Sequence, residues 1–115
     1  MNPTANVQVW CLCAAWCGVC RDFAPCFEQA AQERPNAVLD WLDVEDEAEW
    51  LDALDVDNFP TLLLAVDGQP VFLGTVVPQL PTLLSLIDHA HTLPVLTGAT
   101  ANVLAPVLAH YGGAR

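Results

Sequence analysis

Two cysteines separated by two residues, Cys17-Gly18-Val19-Cys20, stand where the sequence changes its period. Before them Val7, Val9 and Cys11 alternate with Gln8, Trp10 and Leu12, the pattern of a buried strand from Val7 to Cys13. After them Val19, Phe23, Cys26, Phe27, Ala30 and Ala31 recur at helical spacing, which predicts an amphipathic helix from Gly18 to Gln32, kinked near Pro25. A strand running directly into a helix puts the dithiol at a helix N-terminus, where unpaired amides and the macrodipole favour negative charge, and so a thiolate at Cys17. Only a thiolate attacks a disulfide, and a second thiol one turn further on makes a two-step exchange device in which Cys17 attacks and Cys20 resolves.

The rest of the chain reads as alternating elements. Arg34-Pro35-Asn36 breaks the first helix, residues 37–44 read as a second strand, and Glu45 to Leu54 as a short helix with Trp50, Leu51 and Leu54 on one face. Asp55-Val56-Asp57-Asn58 is a loop, Thr61 to Val66 a strand, Asp67-Gly68 a type I′ hairpin signal, and Gln69 to Leu73 the returning strand. Pro78 and Pro81 suit the start of a helix leading to His91, and Asn102 to Tyr111 forms one more, bent at Pro106 and closed by Gly112-Gly113. The fold class is α/β: a mixed sheet with helices on both faces, in the order β-α-β-α-β-β-α plus a C-terminal helix.

Length and charge narrow the functions. At 115 residues the chain is read as one domain, 1–115, with a core at about 7–91 and a C-terminal extension at 92–115. Three arginines and no lysine against fourteen carboxylates give a formal net charge of -11, which repels phosphate backbones and anionic headgroups, so neither nucleic acid nor membrane is a partner. Residues 1–6 have no basic or apolar leader character and no apolar run is long enough to span a bilayer, which leads to a cytoplasmic expectation. The five cysteines are odd in number and four lie between Cys11 and Cys20, which points to cysteine chemistry rather than stapling.

Ala15-Trp16-Cys17-Gly18-Val19-Cys20-Arg21, then Ala24-Pro25, Phe59-Pro60-Thr61, Asp67-Gly68 and Gly74, resemble the thioredoxin family over about Val7 to His91. The resemblance implies a thioredoxin-like fold and a thiol-disulfide oxidoreductase acting on protein disulfides, with Cys17 and Cys20 catalytic. It also implies an upstream reductase or small thiol as electron donor, and no cofactor. It gives Pro60 a cis peptide bond after Phe59, exposing backbone that pairs with an extended client, and makes Trp16, Gly18, Val19, Phe59 and Pro60 the substrate-binding residues. The chain departs from the family in four ways. Cys11 stands at the family's buried carboxylate and Trp41 at its lysine partner, so the resemblance does not supply the family's proton-relay pair. Val19 replaces the proline of general reductants, leaving the direction of electron flow open. The family's first strand and helix have no counterpart, and residues 92–115 are additional, expected to cover the sheet edge so left open.

The remaining residues have plainer readings. Cys11, Cys13 and Cys26 are read as small core hydrophobes, and His89, His91 and His110 as surface or core residues rather than ligands. Nine of the fourteen carboxylates lie between Asp40 and Asp57, a solvated acidic face that a basic docking partner would recognise. The alternatives to catalysis are a module holding a soft metal on Cys17, Cys20 and Cys13, and a redox sensor or adaptor.

Overall fold

The computed structural model of the chain describes residues 6–54, 56 and 58–112. Their elements are β1 (Val7–Cys13), α1 (Gly18–Glu33), β2 (Val38–Asp43), α2 (Ala48–Leu51), β3 (Thr61–Val66), β4 (Gln69–Thr75), α3 (Leu80–Asp88) and α4 (Gly98–Gly112). Short 3-10 turns follow α2 at Asp52–Leu54 and α3 at Ala90–Thr92. Asp55, Asp57 and Gly113, assigned from the sequence to a loop and to a helix end, lie outside the described residues.

Four strands make one sheet in the order β2-β1-β3-β4. The helical crossover through α1 returns β2 parallel to β1, with Cys11 opposite Trp41, whereas β3 runs antiparallel to both β1 and β4. Asp67 and Gly68 both take positive φ, 53° and 81°, as the two central residues of a type I′ hairpin turn must.

β1 is buried along its whole length because it is covered on both faces. Val7, Val9, Cys11 and Cys13 face Phe23, Phe27 and Ala30 of α1 and Leu83 and Ile87 of α3. Trp10 and Leu12 face the opposite way, into a second cluster with Leu51 of α2, Leu63 and Ala65 of β3, and Leu104, Val107 and Leu108 of α4. Each fully buried side chain of this size contributes about 1.5–3 kcal/mol relative to exposure, so both clusters hold β1 in place under the dithiol segment.

Several boundaries differ from the sequence reading. The helix expected from Glu45 begins only at Ala48, because the Asp43 carboxylate takes the amides of Glu45 and Asp46 at 2.8 and 3.1 Å and holds those residues in a turn. α3 stops at Asp88 rather than His91, and the 3-10 turn after it is held by the Thr92 hydroxyl donating to the His89 carbonyl at 2.7 Å. The segment after Thr92 does not simply cover a sheet edge. The Leu96 amide donates to Pro70 O of β4 at 2.8 Å, but the buried residues of α4 form an i, i+3, i+4 stripe on the sheet face, where Trp10 and Leu12 need cover. Among the described residues, no helix is long and apolar enough to cross a membrane.

Candidate active site

The dithiol segment lies between the C-terminal end of β1 and the first turn of α1. Cys17 is the N-cap of α1, in an extended conformation, and its amide donates to Ala14 O at 3.0 Å to close the tight turn out of the strand. Among the described residues its side chain makes no capping hydrogen bond, so the first helical amides are left facing the Cys17 end. The loop is anchored from two sides. Ala15 N donates to Asp43 Oδ2 at 3.0 Å, tying it to the end of β2, and Arg21 Nη1 donates to Ala15 O at 3.1 Å, tying it to α1.

The five sulfurs occupy different environments. Cys17 is a free thiol, half-buried at the surface, with Gly18 and Val19 exposed beside it. Cys20, one turn into the helix, points inward and is only 1% exposed. Its sulfur is bonded to Cys13, also 1% exposed, with the two Cα atoms 6.0 Å apart, within the ordinary range for a disulfide. Cys11 Sγ lies 3.5 Å from Cys13 Sγ, and since a disulfide sulfur carries no proton, the Cys11 thiol is the donor. Burial pushes the Cys11 thiol up to about 12. Cys26 is a half-buried free thiol packed against the same core.

The arrangement adds to the sequence reading. Spacing relates Cys17 to Cys20, whereas the structure bonds Cys20 to Cys13 and leaves Cys17 free. Cys13 is in the core, as its composition class suggests, but it is also a bonded partner. The signal for this was the strand alternation that puts Cys11 and Cys13 on the face roofed by α1, directly beneath the helix turn carrying Cys20. Asp43, the loop anchor, gave no motif signal at all.

The other candidate residues form a rim. Trp16 is 64% exposed and meets Phe59 edge to face, with ring centroids 5.6 Å apart, while Pro60 is buried and the Phe59–Pro60 peptide is cis. A Cβ built on Gly18 would meet Arg21 Nη2 at 3.8 Å, an ordinary contact, so packing does not demand the glycine. Trp41 leans on Phe27 with centroids 5.6 Å apart, extending the apolar surround of Cys11. Among the described residues no group of three or more His, Cys, Asp or Glu is disposed to hold a metal ion.

Three comparisons bear on this geometry. The chain is 36% identical over 71 residues to putative thioredoxin 2 of Streptomyces coelicolor and 39% identical over 71 residues to a thioredoxin of Mycobacterium bovis. Those matches cover 62% and 61% of this chain but only 51% and 59% of the relatives, so the chain spans between half and three fifths of their length. The structure resembles that of a mutant thioredoxin from Halobacterium salinarum, with a TM-score of 0.67, 28% identity and 80% of each chain covered. The family model described as thioredoxin matches residues 4–89, strand, dithiol, hairpin and α3 included, and the chain therefore belongs to the thioredoxin family.

Proposed function

We propose that this protein is a thiol-disulfide oxidoreductase that exchanges electrons with protein disulfides through Cys17 and Cys20. The observation that carries the reading is a sulfur of the helix turn already in a disulfide, beside a free, half-buried thiol at the helix N-cap. The Cys17 thiolate attacks one sulfur of a client disulfide, forming a mixed disulfide and releasing the other client sulfur as a thiolate. The Cys20 thiolate then attacks Cys17 Sγ, forming Cys17–Cys20 and releasing the second client thiolate. The client gains two electrons and the protein loses two.

Each rim residue has a part in this. Trp16 and Phe59 form an apolar wall, Gly18 and Val19 leave the approach to Cys17 open, and the backbone at Pro60 pairs with an extended client segment. A reductase or small thiol returns the protein to its dithiol form, no organic cofactor takes part, and the reducing cytoplasm is the compartment in which such a cycle runs. The concentration of carboxylates between Asp40 and Asp57 supports docking of a basic partner, whose exchange rate falls as salt rises.

The test is turnover of a fluorescent disulfide-linked peptide with dithiothreitol as donor. Cys17→Ser should abolish turnover, and Cys20→Ser, mixed with the peptide in the absence of dithiothreitol, should accumulate a mixed disulfide at Cys17. Wild-type turnover that survives Cys17→Ser, or a Cys20→Ser protein that traps nothing, overturns the proposal.

A further inference from the structure

We infer that Cys13 is a third reacting cysteine, which takes the disulfide over from Cys17 and seals it in the core. The inference rests on the exchange reaction proposed above and extends it by one step. Two sulfurs compete for Cys20. Cys17 precedes it by three residues across the first helical turn, where side chains are neighbours, and Cys13 lies beneath it with the bond formed. The competitors differ in access, since Cys13 and Cys20 are each 1% exposed whereas Cys17 reaches the surface.

The step is an internal thiol-disulfide exchange. The Cys13 thiolate attacks Cys20 Sγ of the Cys17–Cys20 bond, the Cys13–Cys20 bond forms, and Cys17 leaves as a thiolate. One S–S bond breaks and one forms, no electrons enter or leave, and the proton lost by the Cys13 thiol is balanced by the one Cys17 takes up. The neighbouring Cys11 thiol, 3.5 Å from Cys13 Sγ, stays protonated because of its burial and is placed to donate to a Cys13 thiolate. It is a positioning residue.

This step gives the oxidised protein two properties that a two-cysteine device lacks. The disulfide is out of reach of external thiols, and Cys17 is again a free nucleophile. Reduction must then begin with Cys17 attacking Cys20 Sγ, bringing the bond back to the surface where a donor can meet it. The same three sulfurs thus work in both directions.

The experiment follows each cysteine by two-colour alkylation. Reduced wild-type protein is mixed with one equivalent of oxidised glutathione and quenched at intervals with iodoacetamide in guanidinium chloride, which opens the core so that every free thiol, buried or exposed, takes the label. It is then reduced, labelled with N-ethylmaleimide, and cleaved with chymotrypsin after Trp16 to separate Cys13 from Cys17 and Cys20. Cys17 should lose its iodoacetamide label first and regain it as Cys13 loses its own, leaving Cys13 and Cys20 as the final pair. In Cys13→Ser, and in Cys13→Ala as a second variant, Cys17 should lose the label and not regain it. Wild-type protein needs no substitution and carries the test alone if both variants misfold. An end state with Cys13 labelled and Cys17 protected overturns the inference, as does loss of label from Cys13 and Cys20 without prior protection of Cys17. If that happens while turnover still requires Cys17, the proposed function stands. If turnover does not require Cys17, the proposed function itself fails.

Discussion

Asp43 Oδ2 accepts the amide of Ala15 at 3.0 Å, a bond between the end of one strand and the loop that presents Cys17, while Oδ1 of the same carboxylate accepts from Glu45 and Asp46. One half-buried side chain therefore fixes both the dithiol loop and the turn into α2. Asp43→Ala should cost about 1 kcal/mol, since several bonds to a charged acceptor are lost but water replaces part of each. Urea denaturation at neutral pH checks this. A midpoint unchanged from wild type, at equal slope, would mean that solvent holds the loop as well as Asp43 does.

Cys11 makes stability depend on alkaline pH. Its folded-state thiol is pushed up to about 12, from about 9 in the unfolded chain. A group raised in this way gives its full stabilisation below the unfolded value, and loses it as pH rises toward the folded one. Between about pH 9 and 12 the unfolded chain gives up a proton that the folded protein keeps, so stability falls by about 1.4 kcal/mol per pH unit from this group. Cys11→Ala should be less stable than wild type at pH 8 but decline less steeply above pH 9. Denaturant midpoints measured in parallel would show parallel declines if Cys11 did not titrate in this way.

At the far end of α1, Arg34 grips Asp88 at the end of α3, with Nε to Oδ1 at 2.6 Å and Nη2 to Oδ2 at 2.8 Å. The guanidinium holds the Asp88 carboxyl below its usual range, chiefly by hydrogen bonding. A lowered carboxylate stabilises the fold above its unfolded value, near pH 4, and that contribution disappears as pH falls through the folded value. Asp88→Asn should therefore melt below wild type at pH 7, with the two curves converging in acid. A melting difference that persists unchanged to pH 2 would show that the variant acts through packing and not through this charge pair.

How much of this was legible depends on whether a signal is local. β1, running from Val7 to Cys13, and the Asp67-Gly68 hairpin follow from alternation and from residues that tolerate positive φ, both properties of a few consecutive positions. The Cys17 and Cys20 spacing, with Pro60 further on, was likewise enough to identify a redox family. The Cys13–Cys20 bond was not legible, because alternation tells which face Cys13 takes but not which helix turn settles above it. The Asp43 anchor is a contact between residues 28 apart, and nothing near Asp43 in the sequence distinguishes it from the other carboxylates around it. The placement of α4 was missed for a related reason: Leu104, Val107 and Leu108 mark an apolar stripe, but only the uncovered Trp10 and Leu12 face determines where it docks.

That docking has a consequence for how the protein unfolds. Leu104 is fully buried among Trp10, Leu12, Leu51, Leu63 and Ala65, so α4 shares a cluster with the two strands at the centre of the sheet. Tyr111 of the same helix donates its hydroxyl to Glu47 Oε1 at 2.7 Å, and the His110 ring stacks on Trp50 at 4.0 Å, adding two ties to the α2 region. A helix held this way cannot leave without exposing Trp10 and Leu12, which are the other side of the strand that carries Cys11 and Cys13. Leu104→Ala should therefore cost about 2–5 kcal/mol, the range for a large-to-small change in a packed core, and unfold in a single transition. Val103→Ala, at an exposed neighbouring position, should stay within about 0.5 kcal/mol of wild type. Calorimetry of Leu104→Ala showing an early melt of helix ahead of an unshifted main transition would mean that α4 is an appendage, and that β1 keeps its geometry at the dithiol without it.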